Sequence, residues 1–151
     1  MMNSNLYLTL FIALLFTTTA PVSAQIDHCD DADTYYSMED ALKEPANVIK
    51  LDIAMLKLTS IDPNIAKLIN LECLDLSFNR FSTLPPEIAQ LKKLRVLNLA
   101  GTRFLAKLPA VIAEIPNLEE LNIIDHPEWK GTQFEDAKKL LPNVKVITAT
   151  E

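Results

Sequence analysis

Leucine and isoleucine recur along this chain at a nearly constant interval, and that interval leaves few ways to fold it. Leu71, Leu74 and Leu76 return after 23 residues as Leu94, Leu97 and Leu99, and after a further 24 as Leu118, Leu121 and Ile123. The same phase runs back to Val48, Leu51 and Ile53 and, 26 residues on, forward to Val144, Ile147 and Ala149. A second set keeps the same step: Ile65, Ile88 and Ile112 align, as do Leu68, Leu91 and Ile115, with Pro63 and Pro86 in register. Self-similarity at a fixed period marks a chain assembled from stacked units.

Each unit carries its own structural instructions. Apolar residues at the first, fourth and sixth positions make the segment between them alternate inward and outward, the pattern of a half-buried strand. The proline that follows cannot continue a central strand and biases the preceding residue away from helix, so the chain turns and returns along the other side. Ile88 and Leu91, three residues apart, then bury one face of a helical turn. About seven apolar side chains per unit, each contributing roughly 1.5 to 3 kcal/mol when buried, are shielded only once neighbouring units stack on them.

The clearest unit runs Leu71-Glu-Cys-Leu-Asp-Leu-Ser-Phe-Asn79-Arg-Phe81-Ser-Thr-Leu84-Pro85-Pro-Glu-Ile88-Ala-Gln-Leu91. It resembles the leucine-rich-repeat family, in the short repeats of about 23 residues with a Leu-Pro return segment found in secreted bacterial-type members. The resemblance covers residues 47–151 and implies an α/β solenoid, with parallel strands on a concave face and short helical or irregular segments on the convex face. The family's turn-holding asparagine is present only as Asn79, while Leu56, Thr102 and His126 stand in the equivalent places. The fourth unit is longer, and Asp125-His126-Pro127-Glu128-Trp129-Lys130-Gly131 replaces the usual return loop.

The chain divides into residues 1–24, 25–46 and 47–151. The first segment has an apolar run from Leu6 to Phe16, no charged side chain, and Val22-Ser23-Ala24 ahead of Gln25. It reads as a secretory signal peptide cleaved after Ala24, its apolar run being too short for a membrane span of about 20 residues. The expected location is therefore secreted or periplasmic, with no membrane span in the mature form. Residues 25–46 form an N-terminal cap, because Ser37-Met38-Glu39-Asp40 starts a short helix that Pro45 stops. At the far end Phe134, Ala137, Leu140 and Leu141 mark a helix face, and a terminal strand over residues 144–148 leaves an open edge. In all, the domain over 47–151 holds about four repeats plus that strand.

Function in a repeat protein sits on its outward strand positions. Alignment gives one outward row of Lys50, Cys73, Val96, Glu120 and Val146 and a second of Asp52, Asp75, Asn98, Asn122 and Thr148. With strands about 4.8 Å apart, Asp52 and Asp75 are neighbouring carboxylates. Such a pair suits a shared proton or a weak calcium site, but an open sheet does not exclude water, and a solvated polar ladder touching a partner is the preferred reading. Beyond the strands, Lys57, Arg80 and Arg103 share a phase and stack as a basic stripe, either steering a charged partner or simply balancing nearby carboxylates. Trp129, the only tryptophan, is either an exposed anchor or, by preference, a cap on the core beneath the long loop.

Cys29 and Cys73 are the only cysteines. An exported chain meets an oxidising compartment. A bridge would nevertheless require Cys29 to reach across the first strand, to within about 7 Å between α-carbons, and two free thiols are the reading taken.

The net charge of −6, with both signs interspersed, offers no basic stripe for a phosphate backbone, so nucleic acid is not an expected partner. His28 and His126 lack zinc-site spacing. An enzyme would need a compact pocket at residues 125–129, where no catalytic set is visible, and neither metal nor cofactor is called for. The expectation is a non-catalytic protein-interaction module, monomeric by preference, whose protein ligand the sequence does not identify. The alternative is an envelope-associated structural protein that self-associates through its C-terminal edge.

Overall fold

The protein is known from a computed structural model, which describes residues 29–148. The expected signal segment with its cleavage point, the first part of the expected cap, His28 and Ala149 lie outside the described residues. Six strands form one open parallel sheet in sequence order: β1 (Thr34–Tyr35), β2 (Lys50–Asp52), β3 (Cys73–Asp75), β4 (Val96–Asn98), β5 (Glu120–Asn122) and β6 (Lys145–Ile147). Between them the chain returns through 3-10 turns at Pro63–Lys67, Pro86–Gln90 and Ala110–Glu114. This is the expected leucine-rich-repeat solenoid.

The leucine rungs account for the stacking. Leu51, Leu74, Leu97 and Leu121 are successive partners in the sheet, and none is more than 2% exposed. Ile65, Ile88 and Ile112, one from each 3-10 turn, are fully buried and close the core from the convex side. Pro63 and Pro86 begin their turns, where the missing N–H costs nothing; Asp62 accepts from the Asn64 N–H at 2.8 Å and caps the first turn. Tight 3-10 returns suit short repeats because each unit must come back to the sheet within about 23 residues.

The N-terminal cap holds an element that the sequence reading did not foresee. Helix α1 (Met38–Ala41) begins at Ser37, whose hydroxyl accepts from the Asp40 N–H at 3.1 Å. Hydrogen bonds from Lys43 and Ser37 hold the Asp40 carboxyl below its ordinary pKa. Ahead of it, Thr34–Tyr35 pairs with β2 in parallel and adds a first strand to the sheet.

The last repeat departs from the expected register by one residue. Glu120 faces Lys145, Leu121 faces Val146 and Asn122 faces Ile147, so Lys145 and Ile147 point outward where Val146 and Thr148 were expected. Helix α2 (Thr132–Leu140) replaces the 3-10 turn and resets the length of the return. Because Val144, Val146 and Ile147 are all apolar, the pattern does not tell a step of 25 from one of 26, and a one-residue slip exchanges the two faces. Ala137 and Leu141 of this segment are buried, Phe134 is half-buried and Leu140 is 40% exposed.

Candidate functional site

The strand register brings the outward residues together. Lys50, Cys73, Val96, Glu120 and Lys145 lie side by side across the sheet, and Asp52, Asp75, Asn98, Asn122 and Ile147 form the second row. As far as Glu120 and Asn122, both rows line an open depression of about 290 Å3 on the concave face. Lys50, Val96 and Glu120 are half-buried, and Lys145 Nζ lies 3.1 Å from Glu120 Oε2.

The second row is not the freely solvated ladder expected of it. Each of its four polar members is half-buried and closes the turn at the end of its own strand. Asp52 Oδ1 accepts from the Ala54 N–H at 3.1 Å, Asp75 Oδ1 from Ser77 at 2.8 Å, Asn98 Oδ1 from Ala100 at 3.1 Å and Asn122 Oδ1 from Ile124 at 3.1 Å. Asn98 also donates from Nδ2 to Asp75 Oδ2 at 2.8 Å, so both oxygens of Asp75 are used. Short polar side chains favour this bond to the backbone two residues on, which is why Asp and Asn fill the column from β2 to β5. Replacing Asp75 or Asn98 therefore disturbs the fold as well as the surface.

The residue after each of these turns is left-handed. Met55, Phe78, Gly101 and Asp125 have φ of 59°, 54°, 62° and 56°. The first three donate their N–H groups to Ser77, Ala100 and Ile124 of the following repeat at 2.8–3.0 Å. Gly101 is the residue this conformation favours, and its missing side chain is filled by the ring of Phe78.

Asn79 lies in the core at 2% exposure. Its amide donates to Ile53 O and Leu76 O at 2.8 and 3.0 Å, and its Oδ1 accepts from the Leu58 N–H at 3.0 Å, tying two repeats together. One and two repeats later, Thr102 and His126 occupy the same column and are also buried. Thr102 Oγ1 donates to Leu99 O at 2.6 Å, and His126 Nε2 reaches the same carbonyl at 3.0 Å. His126 Nδ1 is buried without a hydrogen-bond partner among the described residues. Burial pushes the imidazole below its ordinary pKa, against the opposing pull of the Leu99 carbonyl and Asp125.

Trp129 caps the core beneath the long loop, as preferred for it, and is not a surface anchor. At 5% exposure it stacks on His126 with ring centres 4.5 Å apart, meets Phe134 at 5.4 Å, and donates from Nε1 to Leu105 O at 2.6 Å. The long loop is filled by its own aromatic residues, and Trp129 is withdrawn as a binding candidate.

Cys73 is withdrawn for a different reason. It is 5% exposed because Cys29 lies over it, and the two form a disulfide with α-carbons 6.0 Å apart. The free-thiol reading is thus corrected. It placed Cys29 in a cap remote from the second repeat, whereas β1 belongs to the sheet only two strand spacings, about 10 Å, from β3. The five residues from Cys29 to Asp33 span up to about 17 Å when extended, enough to cross β2 on the concave side.

Two further groupings escaped the sequence reading. Asn47, Asn70, Asn117 and Asn143 each precede the first apolar rung of a unit, with Lys93 in the remaining place. Asn70 Nδ2 donates to Ala46 O at 2.7 Å, Asn117 Nδ2 to Lys92 O at 2.6 Å, and Lys93 Nζ to Asn70 Oδ1 at 2.8 Å. Beside them Arg95 bridges adjacent repeats, 2.8 Å from Glu119 and 3.6 Å from Glu72. The recurrence of Asn before the rung was the available signal. At the opposite ends of the strands, Lys57, Arg80 and Arg103 are all exposed, and Arg103 lies 3.9 Å from Asp125.

Among the described residues no group of three or more His, Cys, Asp or Glu side chains is placed to hold a metal, and no helix is long and apolar enough to cross a membrane. Residues 69–113 match a family model described as leucine rich repeats in two copies. Among solved structures the chain is similar to a leucine-rich-repeat protein of Leptospira interrogans, with 25% identity and a TM-score of 0.51 over 78% of this chain. It spans 35% of the length of that protein. No curated protein matches the sequence.

Proposed function

Because this chain is a leucine-rich-repeat solenoid, we propose that it is a non-catalytic protein-interaction module whose concave strand face captures a partner protein. Domains of this kind commonly bind proteins. The observation that carries the reading is the in-register row Lys50, Val96 and Glu120 along one open depression, with Lys145 beside Glu120 at its end. Rigid strands hold these side chains at fixed spacing, so little ordering is lost when a partner docks. Neither Asp52 nor Asp75 is poised for acid–base work, since each carboxylate already holds a turn. Affinity capture with the protein, followed by mass spectrometry, tests the reading; recovery of one partner by the wild type and not by a Lys50→Glu, Glu120→Lys variant supports it.

Export completes the reading. A leader ending at Ala24 delivers the chain to an oxidising compartment, and the Cys29–Cys73 bridge suits that environment. The N-terminal sequence of the exported protein tests this, with Gln25 as the expected first residue.

A second reading is favoured by one observation. Strand β6 ends the sheet within the described residues, with Val146 and Ile147 only half-buried, and an edge of this kind accepts another strand. The charged Lys145 at its start opposes such pairing, and a monomer is the favoured state. Light scattering over a range of concentrations separates the two, since only self-association makes the apparent mass rise.

A further inference from the structure

We propose that the line of turns at the C-terminal ends of β2, β3 and β4 is a docking edge for an anionic lipid surface, distinct from the concave face and independent of its proposed role. The edge exposes large apolar side chains that nothing in the described chain covers: Met55 at 68%, Leu56 at 51%, Phe78 at 42% and Phe104 at 60%. They fall on three successive repeats, so the stacking places them in adjacent turns. Scattered apolar residues on a surface need no explanation, but neighbouring ones repeated along an edge do.

The backbone adds a second observation. Met55 and Phe78 are left-handed at φ 59° and 54°, a conformation that disfavours residues other than Gly, Asn and Asp. The equivalent positions in the following repeats hold Gly101 and Asp125, which adopt it readily. Large apolar groups thus stand where local structure asks for small or polar ones, Met55 largely in solvent and Phe78 with only part of its ring packed over Gly101.

Charge selects the partner. Residues 53–61, 76–86 and 99–113, which contain these turns, carry Lys57, Arg80, Arg103 and Lys107 and no carboxylate, in a chain whose formal net charge is −6. Lys57, Arg80, Arg103 and Lys107 are all exposed. Acids flank these segments: Asp52 and Asp75 are committed to the turns behind, Asp62 caps the 3-10 turn that follows, Glu87 and Glu114 lie further along the returns, and Asp125 lies beside Arg103 and ends the stripe. The cations therefore face outward with the apolar side chains and favour an anionic surface.

A bilayer fits this edge better than an acidic protein segment does. The turn N–H groups of Met55, Phe78, Gly101, Arg80 and Arg103 are already satisfied within the solenoid, so none of these five is left to pair with an incoming strand. It presents apolar tips and exposed cations, and these are the two features an anionic interface recognises.

The test uses the full chain carrying Phe104→Trp, whose indole reports from the edge itself while Trp129 remains a buried background. Vesicles of phosphatidylglycerol should shift its emission to the blue, and brominated phosphatidylglycerol should quench it. Phosphatidylcholine vesicles, or about 0.5 M salt, should weaken the response roughly tenfold. Adding Met55→Ser and Phe78→Ser should weaken it by a similar factor; Lys57→Gln with Arg80→Gln, which leaves the apolar tips in place, should remove the preference for the anionic lipid. Because an apolar N-terminal segment is common to every variant, attachment through that segment alone would appear as sedimentation with both lipids and an unchanged indole spectrum. That outcome overturns the proposal. So does an indole that ignores vesicles but responds to polyglutamate in their absence, which would assign the edge to an acidic protein instead.

Discussion

The ring of Phe78 lies so close to Gly101 that a β-carbon at residue 101 would stand 2.5 Å from two of its atoms. Gly101 is also left-handed, at φ 62°. Gly101→Ala therefore combines steric conflict with backbone strain and should destabilise the fold by about 2 kcal/mol in urea unfolding. Combining it with Phe78→Ala should recover the steric part and leave about 1 kcal/mol from the backbone. Equal losses with and without the phenyl ring would contradict the close contact.

Asn79 should be the most sensitive polar residue in the core. Its three hydrogen bonds join Ile53, Leu58 and Leu76 within a buried site, and Asn79→Ala leaves two carbonyls and one N–H unpaired. A loss of about 3 kcal/mol is expected in chemical unfolding. Thr102→Val removes one short bond to Leu99 O and a long contact of 3.5 Å with His126 Nε2 and should cost about 1 kcal/mol. A smaller effect for Asn79 than for Thr102 would show that the column does not bind the repeats as described.

The Cys29–Cys73 bridge closes a sequence separation of 44 residues. Loop-closure entropy for that length corresponds to a stabilisation of about 4 kcal/mol as an upper figure. Paired Cys29→Ser and Cys73→Ser replacement should lower the urea midpoint accordingly, and thiol reagents should find no accessible cysteine in the unreduced wild type. Rapid labelling of Cys73 in the native protein would contradict the covered position.

His126 gives the fold a pH dependence of known sign. Its imidazole is held below the ordinary value of 6.5, chiefly by burial, so the unfolded chain binds the proton more readily. Its contribution is fully present above the unfolded pKa and is lost as the pH falls through the folded one. Wild-type stability should therefore decline from about pH 6.5 downward, more steeply than that of His126→Asn, which places the family's residue in the column. Parallel pH profiles for the two proteins would remove His126 as the cause.

How much of this was legible in the sequence depends on whether a feature repeats. The rungs Leu51, Leu74, Leu97 and Leu121 and the outward residues between them follow from the period, because burial demands the same polarity in every unit. What the period does not encode was missed or misassigned. Strand β1 has no partner in the repeat pattern, and without it the bridge to Cys73 looked too long. Strand β6 follows a helix of different length, and the run Val144 to Ile147 is too uniformly apolar to fix its register. The polar column was legible as a column, but its bonds were not: Asp52 and Asn98 hold local turns, which outward alternation alone does not reveal. Trp129 faces inward because His126 and Phe134 receive it, a contact between residues that the repeat does not relate.

The same distinction decides how the proposed function is best measured. Asp75 and Asn98 confound structure with recognition, whereas Lys50, Val96 and Glu120 point from the concave face without holding a turn. The most direct measurement is titration of the captured partner against wild type and a Lys50→Glu, Val96→Asp, Glu120→Lys variant, with urea unfolding of both proteins alongside. The account predicts affinity at least roughly a hundredfold weaker, equivalent to about 2.7 kcal/mol, while the unfolding midpoint moves little. Undiminished affinity in a variant that remains folded would place recognition elsewhere and contradict it.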